Sequence, residues 1–174
     1  MMSAILLPIE VLSREAFRPF GDVIDLEGAH HYPINNGSCT RYHDLAKIDI
    51  AGVGGRPLLN VFRAQPVGDR VEIAIMEKHP LGSQAFIPLG NRPFLIVVSE
   101  KEQQPLAATL RCFLARNGQG VNYARDVWHH PLLALDIESD FLVVDRGGDE
   151  DNCDLFNLPS ADRPGIDMRM LENL

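Results

Sequence analysis

Apolar residues recur along the chain in short runs closed by glycine, proline, asparagine or aspartate, a pattern that predicts strands rather than helices. The runs are Ile5 to Val11, Asp22 to Leu26, Tyr42 to Ile50, Leu58 to Ala64, Val71 to Lys78, Gln84 to Pro88, Phe94 to Glu100, Thr109 to Ala115, Gly120 to Arg125, Leu132 to Ile137 and Phe141 to Asp145. Short strands in this number, with little helical period between them, point to an all-β sandwich or barrel. One short N-terminal helix is predicted, with Ser13 as cap, Glu15 in the first turn where the helix dipole favours an anion, and Gly21 as its end. Asn36-Gly37 and Asn117-Gly118 tolerate the positive φ of tight hairpin turns, and Gly52 to Pro57 reads as a flexible connection. From Gly147 to Asp154 the chain turns acidic, and after Pro159 periodicity fades. The expected organisation is a single domain over 1–159 and a surface tail or partner arm over 160–174.

Length and composition narrow the function. A chain of 174 residues, 45% hydrophobic, suits one domain that buries about 70% of its unfolded surface. Sixteen Lys and Arg against 24 Asp and Glu give a net charge of −8 and a pI near 5.1. Phosphate backbones and anionic membranes repel such a surface, so neither a nucleic-acid nor a membrane partner is expected. Cys39, Cys112 and Cys153 have no C-x-x-C spacing, and a reducing cytoplasm fits them best. The opening MMSAILLPIEV has no basic start, and Pro8 and Glu10 interrupt it, so neither a signal peptide nor a membrane span is expected.

The most informative run is Val71 to Lys78 with His79 behind it. Alternation along one strand puts Ile73, Ile75, Glu77 and His79 on one face, the last two with Cα atoms about 6.6 Å apart. If the isoleucines face the interior, an acid and a base share one pocket wall, where they can hold a metal or move protons. The alternative is a strand that ends at solvent. A tight turn at Pro80-Leu81-Gly82 would bring Gln84 beside His79. In Trp128-His129-His130-Pro131 only one imidazole can enter a given pocket, and His129 is the candidate. Arg41 and Arg63 stand at loop borders, where a guanidinium fork can grip a carboxylate or simply pair with a surface acid. Asn36 follows a His30-His31 pair in a loop, and Tyr123 alternates with Asn122. The acidic stretch Asp149 to Asp154 lacks the glycine and terminal glutamate of a calcium loop.

Ile34-Asn-Asn-Gly37, Arg41-Tyr-His-Asp-Leu45, Arg63-Ala-Gln-Pro66, Glu77-Lys-His-Pro-Leu-Gly82, Gln84-Ala-Phe-Ile-Pro88, Gly120-Val-Asn-Tyr123, Val127-Trp-His-His-Pro-Leu132 and Asp145-Arg-Gly-Gly148 follow one another in an order that resembles the ureidoglycolate lyase family of allantoin degradation. The resemblance implies an all-β, cupin-like jelly-roll β-barrel, a homodimer, and cleavage of (S)-ureidoglycolate into glyoxylate and urea. It implies His79, His129 and Glu77 as catalytic residues or ligands of a divalent metal, nickel in this family, with no organic cofactor. Arg63, Arg41, Gln84, Tyr123 and Asn36 are the implied substrate-binding residues. The cupin H-x-H pair is absent, so a three-histidine metal site is not expected. The same pocket would also suit another metal-dependent cupin enzyme, an oxygenase or isomerase, or a sensor that binds a small acid without turning it over.

Overall fold

The computed structural model describes residues 5–100 and 104–174, which include the whole of the first apolar run, Ile5 to Val11. Two sheets carry the fold. One runs in the order Ile9–Val11, Arg111–Ala115, Phe94–Ser99, Trp128–His129, Ile75–Lys78 and Asp154–Asn157, with Leu133–Ala134 also on Phe94–Ser99. The other runs Gly21–Ile24, Gly120–Tyr123, Gln84–Pro88, Ser139–Gly147 and Arg56–Ala64. Pairing is antiparallel throughout both except between Ile9–Val11 and Arg111–Ala115. The predicted helix forms over Arg14–Phe17, where the Ser13 hydroxyl accepts from the Ala16 amide at 3.2 Å, and it drops Phe17 into the core.

The inner faces of the two sheets meet in a core that includes Phe94, Ile96, Val98 and Phe113 from the first and Phe86, Val121, Tyr123 and Phe141 from the second. Ring pairs such as Phe94 and Phe141, edge to face at 5.1 Å, fix their spacing. Leu95 and Val97 alternate to the outside of the first sheet and are buried there too, under Leu158, Ile166 and Met168. This cover corrects the reading of 160–174 as a surface tail. Gly165–Asp167 pairs with Arg70–Glu72, and Ile166 is fully buried, because the outward apolar face of the sheet needs a lid.

Other expectations shift for local reasons. Tyr42 to Ile50 is not a strand: the chain leaves the hairpin Cys39–Tyr42, Asp44 adopts φ 57°, and only Ile50 bridges to Gly82. Val71 to Lys78 breaks after Glu72 into two strands on different partners. Ile73 and Met76, three positions apart, both reach the outer core, which an unbroken alternating strand forbids. Neither Pro80-Leu81-Gly82 nor Asn117-Gly118 closes a hairpin, since each turn carries the chain from the first sheet to the second. Asn36-Gly37 does sit in a hairpin turn, between His31–Ile34 and Cys39–Tyr42, with Asn35 and Asn36 both at positive φ.

The lid can be measured. Ile166→Ala should lower the unfolding free energy by about 2 to 5 kcal/mol, whereas Val53→Ala, at an 89% exposed site, should stay within about 0.5 kcal/mol of the parent. Equal denaturant midpoints for the two variants would mean that the C-terminal segment adds no stability.

Candidate active site

Met76 points into the outer core, so its neighbour Glu77 must point the other way, between the sheets. His129 lies directly opposite Glu77 in the ladder, and its ring is buried in the same space. His79 follows the end of the same strand, its ring centroid 5.1 Å from that of His129. Ligand atoms of Glu77, His79 and His129 all lie within 4.8 Å of one another. Glu77 faces inward as expected, but through the parity of Met76 rather than of Ile73.

Each imidazole is oriented from behind. The Nδ1–H of His129 donates to the Val127 carbonyl at 3.0 Å, and that of His79 donates to the Asn152 carbonyl at 2.6 Å. Both Nε2 lone pairs therefore face the space between the rings and Glu77. His79 Nε2 is buried with no hydrogen-bond partner. His129 Nε2 lies 3.1 Å from Gln84 Oε1 and 3.5 Å from Glu77 Oε1. Three potential ligands, His79 Nε2, His129 Nε2 and the Glu77 carboxylate, converge here, with the Gln84 amide alongside. A bare set of acceptors is costly to bury, and a cation would relieve it. Two imidazoles and a carboxylate, with an amide oxygen alongside, are donors that suit a divalent ion, and the orphaned His79 Nε2 is the observation that fits one.

The electrostatics agree. The side chain of His129, against the cost of burial, holds the Glu77 carboxyl below its ordinary range. Burial, opposed by Glu77, pushes His129 down. An ionised acid facing a neutral imidazole is the protonation state that metal ligands need. Tyr123 stacks on His129 at 4.2 Å and 12°, and burial pushes its phenol up, so it remains protonated.

A cavity of about 360 Å³ opens beside this cluster, lined by Phe62, Arg63, Ala64, Glu77, Phe86, Pro131 and Leu132. Glu77 is the member of the cluster that reaches its wall. Arg63 stands at the mouth with its side chain 64% exposed, bound to Asp140 through Nε at 2.7 Å and Nη2 at 2.9 Å. Gln84 joins the site as expected, though through His129 rather than His79, because it starts a strand of the opposite sheet. Arg41 and Asn36 are not brought to the cluster. They stand on the exposed hairpin His31–Ile34 and Cys39–Tyr42, which pairs only with itself, and the positive φ of Asn36 serves its turn. His30 and His31 sit beside Tyr32, Tyr42 and His43 on that same surface. Sequence reasoning missed Asn152 and Val127, and no signal could have found them, since both act through backbone carbonyls that any residue carries.

The family model described as ureidoglycolate lyase matches residues 4–162. The chain belongs to the ureidoglycolate lyase family. A ureidoglycolate lyase from Burkholderia cepacia is 58% identical over 158 residues, covering 90% of this chain and 88% of its own. One from Brucella anthropi is 58% identical over 150 residues, 86% of this chain and 88% of its own. A solved TDP-quinovose 3,4-ketoisomerase from Campylobacter jejuni covers 74% of this chain and 85% of its own at 10% identity, with a TM-score of 0.38, too low a likeness to bear on the argument. The match to this lyase family embraces every residue of the buried cluster and both carbonyls behind it.

Acid should weaken the metal-free protein in two stages. Because the folded value for His129 lies below 6.5, the unfolded chain takes up a proton that the folded chain refuses. Stability then falls as pH drops below about 6.5, by up to ~1.4 kcal/mol per pH unit for one proton. Glu77 acts the same way lower down: its contribution is present above its ordinary 4.5 and is lost as pH falls through the folded value. Denaturant melts between about pH 7.5 and 5.5 should show the first slope, and His129→Gln should flatten it in part, since His130 is also lowered by burial. A slope unchanged in the variant would contradict a neutral buried His129.

Proposed function

We propose that this protein is a ureidoglycolate lyase, splitting (S)-ureidoglycolate into glyoxylate and urea. The observation that carries the reading is the buried Glu77, His79 and His129 cluster opening on a small cavity in a chain of this family. Family membership sets the lyase ahead of an oxygenase, an isomerase or a non-catalytic sensor.

The substrate carries a carboxylate, a hydroxyl and a ureido nitrogen on one carbon. Cleavage removes the hydroxyl proton, turns the C–O bond into the aldehyde of glyoxylate, breaks the C–N bond, and returns a proton to the departing nitrogen to give urea. Glu77, ionised and on the cavity wall, takes the hydroxyl proton and then delivers it to the nitrogen, so atoms and charge balance. Bound to His79, His129 and Glu77, a divalent ion, nickel by family resemblance, would make the substrate hydroxyl more acidic. His79 and His129 are oriented by their backbone partners, while Gln84 lies beside the His129 Nε2 and Tyr123 stacks against its ring face. Arg63 receives the substrate carboxylate at the mouth, since Asp140 occupies its Nε and Nη2 and leaves Nη1 for a second anion. Arg41 and Asn36 take no part in this scheme.

A homodimer in the cytoplasm completes the reading. The edge strand Arg56–Ala64 exposes Leu59 at 72% and Val61 at 60%, apolar surface that a second copy would cover. No helix among the described residues is long and apolar enough to cross a membrane, Cys39, Cys112 and Cys153 are unbridged, and a net charge of −8 disfavours nucleic acid.

Purified protein, with and without added nickel, should release glyoxylate from (S)-ureidoglycolate faster than buffer does. Glu77→Gln should lower kcat by about 100-fold or more. Arg63→Ala should act mainly through KM, raising it with a smaller change in kcat. Release no faster than buffer under both metal conditions would sink the assignment.

A further inference from the structure

The acidic stretch after Gly148, which does not make a calcium loop, passes directly behind His79. It links the strand Ser139–Gly147 of one sheet to Asp154–Asn157 of the other, and Asp154–Asn157 pairs with the strand that carries Glu77. Asn152 grips the site twice. Its backbone carbonyl accepts the Nδ1–H of His79 at 2.6 Å, and its side-chain Oδ1 accepts the Leu81 amide at 2.7 Å. One residue therefore ties the imidazole and the turn that follows it to the same point. A carbonyl that must meet Nδ1 at that distance needs a loop that does not wander.

Arg146 supplies the restraint. Its guanidinium is buried, with Nε donating to the Ala51 carbonyl at 2.6 Å and Nη2 to Glu150 at 2.7 Å. Glu150 lies two residues before Asn152. Ala51 belongs to the segment whose own amide donates to Leu81 O at 2.8 Å, while Asp49 accepts from the Ser83 amide at 2.9 Å. Three stretches, around residues 49–51, 81–83 and 150–152, are thus cross-tied. The packing is close: a Cβ added at Gly82 would come within 2.7 Å of the Arg146 Cβ, and one at Gly52 within 2.2 Å of the Glu150 carboxylate. The charge on Arg146 is matched by Glu150, and its remaining Nη1 is buried without a partner, so a loop that drew Glu150 away would leave a buried charge uncompensated.

We propose that Asn152, clamped through the Arg146–Glu150 pair, is the positioning residue that sets the tautomer and direction of His79 and so readies its Nε2 for a divalent ion. The proposal rests on the metal-binding reading of the cluster. With the carbonyl in place, the proton stays on Nδ1 and the lone pair on Nε2 faces Glu77 and His129. Without it, the imidazole is free to carry its proton on Nε2, aimed at the other ligands, and binding then requires a tautomer change and a reorientation. Outer partners of this kind are typically worth about 10- to 100-fold in metal affinity.

The test compares the full-length parent with Asn152→Leu, which has similar bulk and no acceptor, and Asn152→Asp, which keeps a side-chain oxygen for the Leu81 amide. Nitrogen-15 spectra of the metal-free protein read the His79 tautomer, a quantity that general stability does not move, and calorimetry reads nickel affinity. The parent should show the Nδ1–H form. Asn152→Leu should show a mixture with Nε2–H and bind nickel about 10-fold or more weakly, and Asn152→Asp should remain within about 3-fold of the parent. A parent with the proton on Nε2, or an Asn152→Leu protein with parental tautomer and affinity, overturns the proposal. If Asn152→Leu does not fold, Asn152→Ala, which also lacks a side-chain acceptor, and the parental tautomer decide it on the same terms. A parent with the Nδ1–H tautomer that binds no nickel would instead count against the metal reading, and absent turnover against the lyase.

Discussion

The strand Phe94–Ser99 buries every one of its side chains, and the rest of the molecule is arranged around that constraint. Phe94, Ile96 and Val98 face the second sheet and Leu95 and Val97 face away, so both sides of the strand need covering. Each full burial of an aliphatic or phenyl side chain is worth about 1.5 to 3 kcal/mol, enough to make either cover indispensable. The inner side draws in the sheet that carries Gln84 and Tyr123. The outer side draws the C-terminal segment back across the molecule and pairs it with Arg70–Glu72. Trp128–His129 is laid against the same strand, with His129 opposite Val98, so the central strand also fixes where the site can be.

Burial and chemistry pull against each other at that site. The space between the sheets is apolar, which pushes His129 towards its neutral form, yet it also holds the Glu77 carboxyl, which sits below its ordinary range. Backbone carbonyls orient the rings by accepting a hydrogen bond from the Nδ1–H of each imidazole, which turns both Nε2 atoms inward. What results is a small cluster of acceptors that a divalent ion would complete. Local charge differs from the total of −8: the Arg63 guanidinium stands at the cavity mouth, with Glu138 and Asp140 beside it.

Much of this was legible from the residues. The apolar runs marked most strands of the two sheets, Ser13 marked the helix, and the Glu77, His79 and His129 spacing marked the cluster. Those signals are local: alternation and capping depend on neighbours in sequence. Where local pattern misled, a distant partner had won. Val71 to Lys78 reads as one strand, but Arg70–Glu72 and Ile75–Lys78 answer to different partners, and the break between them resets the alternation.

Residue types and their order determined an all-β class, a family and an acid with two imidazoles as the chemistry. Tertiary structure alone decided that the last residues form a lid, that Gln84 meets His129 across the gap between sheets, and that Arg41 and Asn36 stand apart on a free hairpin. It alone placed the Asn152 and Val127 carbonyls behind the histidines. Side-chain identity is written in the sequence, whereas a backbone carbonyl is the same at every position and acquires a role only from where folding puts it.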